Sequence, residues 1–149
     1  MAFDITKYRA VFLEEGAEHL SEFSAALLTL EKDAACVDAI DVVFRMAHSL
    51  KSMAASLGYD SIAEVSHRLE DRMEKTRSAG RVAGSEELRV LFVGLQALEE
   101  MIDVVRSTGE SPPLPPELID ELTAVAPQQA DGASNRAARE GGQGKKPLS

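Results

Sequence analysis

Apolar residues recur at three- and four-residue intervals along most of the chain, the spacing that lines one face of a helix. In the first such stretch Ile5, Tyr8, Phe12, His19, Leu20, Phe23, Leu27 and Leu30 share a stripe while Glu14, Glu15, Glu18 and Glu22 turn outward. With Asp4 or Thr6 as a cap, this predicts a helix over 4–32. A second stripe, Ile40, Val43, Phe44, Ala47, Leu50, Ala54 and Leu57, predicts a helix over 38–57, and Gly58 stands where a C-cap would. Ser61-Ile-Ala-Glu64 fits a capping box at the head of a third helix, 61–79, with Ile62, Val65, Leu69, Met73 and Thr76 on its stripe and Gly80 at its end. Ser85 can cap a fourth helix, 85–107, burying Leu88, Leu91, Phe92, Leu95, Leu98, Ile102 and Val105 before Gly109 and Pro112-Pro113 break it. Pro115 and Pro116 suit the first turn of a short fifth helix, 116–126, with Leu118, Ile119, Leu122 and Val125 on one face.

From Pro127 the periodicity stops and Gln, Gly, Ala, Ser and Arg take over. The expectation is one domain over 1–126 and a disordered linker or tail over 127–149. Strand-like alternation is absent, so the fold class is all-α. Short connections between four amphipathic helices make antiparallel neighbours, hence an up-down-up-down four-helix bundle with the fifth helix covering one end or lying beside the fourth. An extended coiled coil would need uninterrupted heptads, and the glycines and loops stand against it.

Composition and charge narrow the function. No apolar run approaches the ~20 residues of a membrane span, no charged-then-apolar leader opens the chain, and the single Cys36 has no partner for an internal disulfide. The expectation is a cytoplasmic protein without membrane insertion. The formal net charge is -9; residues 127–149 carry +2, which leaves -11 on the first 126 and makes nucleic acid a poor partner. Within that acidic body Arg45, Lys51, Arg68, Arg72, Lys75 and Arg77 gather on the second and third helices, a surface suited to an anionic contact. Met46, Met53 and Met73 read as packing residues, and His19 as a boundary residue with a local hydrogen bond.

The chemistry collects around His48. At 100° per residue it falls on the flank of its helix's stripe, with Lys51 and Ser52 one turn on. The second and third helices join at a tight turn near Gly58, so residues equidistant from it stand at one height. His48 is 10 residues before Gly58, His67 is 9 after it and Glu70 is 12 after it. Two flanks therefore meet carrying His48 and Lys51 opposite His67 and Glu70. A neutral imidazole attacks through the ring nitrogen that lacks a proton, and a carboxylate accepting the other N–H fixes that tautomer and makes the free nitrogen more basic. Glu70 suits that role. Lys51 suits neutralisation of phosphoryl oxygens, so the group has the parts of an activated, phosphorylatable nucleophile.

Ala47-His-Ser-Leu-Lys51, then Leu57-Gly-Tyr59, then Val65-Ser-His-Arg-Leu-Glu70, resembles the histidine phosphotransfer (HPt) domain family, in particular the amino-terminal phosphotransfer domains of CheA-type chemotaxis kinases. The resemblance covers roughly residues 5–126. It implies that His48 is the phosphoacceptor, supported by Lys51, His67 and Glu70. It also implies that a kinase's separate ATP-binding domain supplies the phosphoryl group and that an aspartate of a CheY-like or CheB-like response regulator receives it. ATP and Mg2+ would then belong to the kinase domain, and Mg2+ to the regulator, with no cofactor bound by this chain. The family usually has glycine after the lysine; here Ser52 and then Met53 follow, beside the reacting atom, and bear on which regulators fit. Arg45, Ser52, Met53, Ala55, Arg68 and Arg72 make up the expected partner-binding rim.

No Gly-rich nucleotide loop, Walker lysine or kinase ATP-site motif is present in the sequence, so the chain by itself is not expected to be an enzyme but a fragment of a histidine kinase. The alternatives are a free-standing phosphorelay protein with the same chemistry and a metal-binding bundle using His48, His67 and Glu70. The second lacks the additional carboxylate–histidine set that di-iron bundles place on the other helices.

Overall fold

The computed structural model describes residues 4–124, and within them all regular structure is helical. The helices are α1 (Ile5–Lys32), α2 (Val37–Ser56), α3 (Asp60–Ala79), α4 (Ser85–Thr108) and α5 (Pro116–Thr123). Helix α2 packs between α1 and α3, and α4 closes the ring against α1 and α3. This is the up-down-up-down bundle, with α5 lying against α3 and α4. The expected tail, 127–149, lies outside the described residues.

The core is what the stripes dictate. Phe23, Leu27, Val43, Ala47, Leu50, Ile62, Val65, Leu69, Met73, Leu91, Leu98 and Val105 have no more than 1% of their surface exposed. The buried stripe of α1 begins later than the periodicity predicts: Ile5 and Tyr8 are exposed, and Gly16 is buried, where α1 meets Leu50 and Ile102. Val125 lies outside the described residues, and of the α5 face only Leu122 is fully buried.

The ends follow backbone chemistry more than the expected caps. Asp4 does cap α1, accepting from the Lys7 N–H at 3.3 Å. Gly58, at φ 77°, turns the chain from α2 into α3, and the Tyr59 N–H reaches back to the Ala54 carbonyl. The capping box at Ser61 does not form. Helix α3 begins one residue earlier, at Asp60, and the Ser61 hydroxyl donates instead to the Pro112 carbonyl at 2.6 Å while lying 2.5 Å from Ser111 Oγ. That pair of contacts fastens the α4–α5 loop to the head of α3. Ser85 does not cap α4 either; Gly84 holds the N-cap position without a side-chain bond. Helix α2 starts at Val37, and α5 stops at Thr123 because Ala124 is already extended.

Candidate functional site

The tight turn at Gly58 sets α2 and α3 side by side, and their facing flanks bring together the residues that the height argument pairs. Glu70 Oε2 lies 2.6 Å from His48 Nδ1, and Lys51 Nζ donates to Glu70 Oε1 at 2.5 Å. Exposure is graded across the group. The His48 side chain is 55% exposed, Lys51 31% and Glu70 13%, so the imidazole stands in solvent on a carboxylate sunk between the helices.

That burial pushes the Glu70 carboxyl up, but the hydrogen bonds from Lys51 and His48, and the charges behind them, outweigh it and hold Glu70 below the usual carboxylate range. Glu70 therefore stays anionic down to lower pH than an ordinary glutamate. Its folded value lies below the reference of 4.5, so its contribution to stability is present above 4.5 and is lost as pH falls through the lowered value. An anionic carboxylate can only accept. Nδ1 of His48 must then carry the hydrogen, and the lone pair of the neutral ring is left on Nε2. The site can thus present a nucleophilic nitrogen to an electrophile from outside the bundle, with an ammonium one turn away.

His67 stands apart from this group. Its Nε2 lies 3.6 Å from Asp71 Oδ1 on its own helix, and among the described residues it makes no hydrogen bond to His48, Lys51 or Glu70. No three His, Cys, Asp or Glu side chains among the described residues converge as a metal would require.

The basic rim divides. Arg45 is exposed and has no ion-pair partner among the described residues, Ser52 and Ala55 are exposed, and Met53 is half-buried. Arg68 is held by Glu64 at 2.6 Å but keeps 36% of its side chain exposed. Arg77 lies over the Phe44 ring at 4.4 Å and beside Asp41 at 3.4 Å. Arg72 does not belong to the rim. Its guanidinium is buried, donates to Glu87 of α4 from Nε and Nη2, and donates from Nη1 to the carbonyls of Leu122 and Ala124 at the end of α5. It is a structural bolt, and a regulator could not reach it. His19 also departs from expectation, because its Nδ1 is buried without the local hydrogen bond.

A family model for the Hpt domain matches residues 7–108. The chain is 36% identical over 107 residues to the chemotaxis protein CheA of Bacillus subtilis, covering 72% of this chain and 16% of that protein. It is 31% identical over 103 residues to CheA of Halobacterium salinarum, covering 69% and 15%. The chain thus spans about a sixth of the length of these relatives. Among solved structures, the CheA phosphotransferase domain from Thermotoga maritima matches with a TM-score of 0.64 at 31% identity, covering 70% of this chain and 99% of that one. The phosphorylated P1 domain of CheA3 in complex with CheY6 from R. sphaeroides matches with a TM-score of 0.72, covering 78% and 92%; at 23% identity the likeness is one of fold. No described helix is long and apolar enough to cross a membrane.

Proposed function

This chain belongs to the Hpt domain family, and from that membership we propose that it is the phosphotransfer module of a chemotaxis-type signalling kinase, with His48 as the phosphoacceptor. The observation that carries the reading is the shared carboxylate, Glu70, bonded at once to His48 Nδ1 and to Lys51. In the forward step the Nε2 lone pair of His48 attacks the γ-phosphorus of ATP held by a separate kinase domain. The N–P bond forms as the P–O bond to ADP breaks, and ADP leaves with the electron pair. In the second step an aspartate oxygen of a response regulator attacks the same phosphorus, and the imidazole departs with its lone pair restored. The ATP and Mg2+ of the first step belong to the kinase domain and the Mg2+ of the second to the regulator.

Each supporting residue has a distinct part. Glu70 holds Nδ1 as the N–H and stabilises the positive charge that develops on the ring. Lys51 keeps Glu70 ionised, and two of its three N–H donors remain for phosphoryl oxygens. His67 is a flanking group on the approach surface. Arg45 and Arg68 offer cations to an acidic regulator pocket and set the encounter rate, while Ser52, one turn after His48 on α2, and Met53 and Ala55 beyond it bear on fit.

The test is incubation with a CheA-type ATP-binding domain and labelled ATP. Acid-labile, base-stable label should accumulate on the chain and discharge to a CheY-like regulator with Mg2+; a chain that never takes up label overturns the reading. Glu70→Ala should slow uptake by about tenfold or more, since the tautomer is no longer fixed, while helical circular dichroism is retained. Uptake at the parental rate would mean that the carboxylate does not assist the nucleophile.

A further inference from the structure

Glu70 is placed by its neighbour in the chain. Leu69 is fully buried on α3 and faces α4 at Gly94. A Cβ at position 94 would lie 2.5 Å from Leu69 Cδ2, 2.9 Å from Cδ1 and 3.0 Å from Cγ. Gly94 is in ordinary helical conformation, not among the glycines with positive φ, so it is not there for backbone freedom. A glycine weakens the middle of a helix. What it supplies here is the missing side chain, which lets Leu69 rest on the backbone of α4.

Inserting one methyl would require Leu69 to withdraw by about 0.9 Å, the difference between 2.5 Å and ordinary contact at 3.4 Å. Leu69 is enclosed, so a change of rotamer pushes on its other neighbours, and close-packed interiors transmit such strain. The adjacent residue, Glu70, spans to His48 at 2.6 Å, a distance at which a few tenths of an ångström matter. Gly16 provides a contrast in the same core. It too is buried in a helix, and it faces Leu50, the neighbour of Lys51, yet a Cβ there meets Ile102 at 3.4 Å and Leu50 at 3.8 Å, which is ordinary contact.

We propose that Gly94 is a positioning residue for the His48–Glu70 hydrogen bond: by leaving room for Leu69 it sets the depth of α3 at Glu70, and through it the tautomer of the reacting imidazole. The rate consequence rests on the phosphotransfer reading above; the tautomer consequence does not.

The experiment compares the parent, Gly94→Ala, Gly16→Ala and the double variant Gly94→Ala/Leu69→Val, which shortens the side chain and removes Cδ1 and Cδ2, the two atoms nearest the new Cβ. Ring 15N resonances of His48 report the fraction of neutral imidazole with hydrogen on Nδ1, uptake of label reports the rate, and circular dichroism with urea unfolding reports the fold. Gly94→Ala should lower the Nδ1–H fraction and slow uptake by about ten- to a hundredfold, a full ångström of misplacement corresponding to the upper figure. Gly16→Ala should leave both unchanged, and Leu69→Val should bring both back toward parental values. A folded Gly94→Ala with the parental tautomer overturns the proposal, as does an equal loss in Gly16→Ala. If Gly94→Ala does not fold, the double variant decides: a parental tautomer supports the proposal and a lost one overturns it. A tautomer shift in a set of proteins of which none takes up label, parent included, would sink the phosphotransfer reading and leave the positioning intact.

Discussion

Replacing His48 with glutamine is expected to abolish uptake of the phosphoryl group and to leave the bundle close to parental stability. The side chain is 55% exposed, so the change opens no cavity, and surface substitutions of this kind fall within about 0.5 kcal/mol. The amide of glutamine can still donate toward Glu70, so the partly buried carboxylate is not stranded. The variant therefore separates chemistry from folding. Label that stays acid-labile and base-stable on His48→Gln would move the acceptor elsewhere. His67, 49% exposed, is the histidine best placed to take its role, because Nδ1 of His19 is buried.

Replacing Arg72 with alanine has its effect on stability. The guanidinium and the Glu87 carboxylate are 10% and 9% exposed, and the arginine also closes the end of α5 through two carbonyls. Removing one partner of a buried ion pair leaves the other uncompensated and costs about 3–5 kcal/mol. For a bundle of this size that lowers the melting temperature by about 10–25 °C. Replacing both Arg72 and Glu87 with methionine should recover part of the loss, since it removes the uncompensated charge but leaves the Leu122 and Ala124 carbonyls without their donor. Thermal and urea unfolding of the three proteins is the measurement. A shift under about 1 kcal/mol for Arg72→Ala would return Arg72 to the surface rim where charge changes are nearly neutral.

The contrast between these residues shows where sequence reasoning reaches. His48 and Glu70 are 22 positions apart, yet their meeting is a local matter: two periodic helices and one glycine turn fix their relative heights, and Lys51 follows from the helical repeat. His67 satisfies the same height rule but belongs to a different azimuth on α3, and it turns to Asp71, four residues along its own helix. Height alone does not select a contact. Charged residues usually face solvent, which puts Arg72 on the surface rim when only its own helix is considered. Its partners lie 15, 50 and 52 positions away; the packing of α4 against α3 supplies the first, and only the return of α5 supplies the other two. A signal was nevertheless present: Arg72 stands three after Leu69 and four before Thr76, on the buried face of its helix. Gly94 carried the same kind of signal, three after Leu91 and four before Leu98. A stripe drawn from large apolar residues passes over both, because burial at such positions depends on what the neighbouring helix lacks or offers. Ser61 failed as a cap for a comparable reason, since its hydroxyl is claimed by a loop 50 residues on.

If His48 is the phosphoacceptor, Glu70 reserves its Nδ1 as an N–H and so directs chemistry to Nε2. Phosphorylation of the 15N-labelled chain by a CheA-type kinase domain, followed by measurement of 31P–15N coupling in the imidazole, locates the new bond. Phosphorus is expected on Nε2 of His48, with the Nδ1 proton retained against Glu70. Phosphorus on Nδ1 would contradict this, because the nitrogen held by the carboxylate would then be the one that attacks.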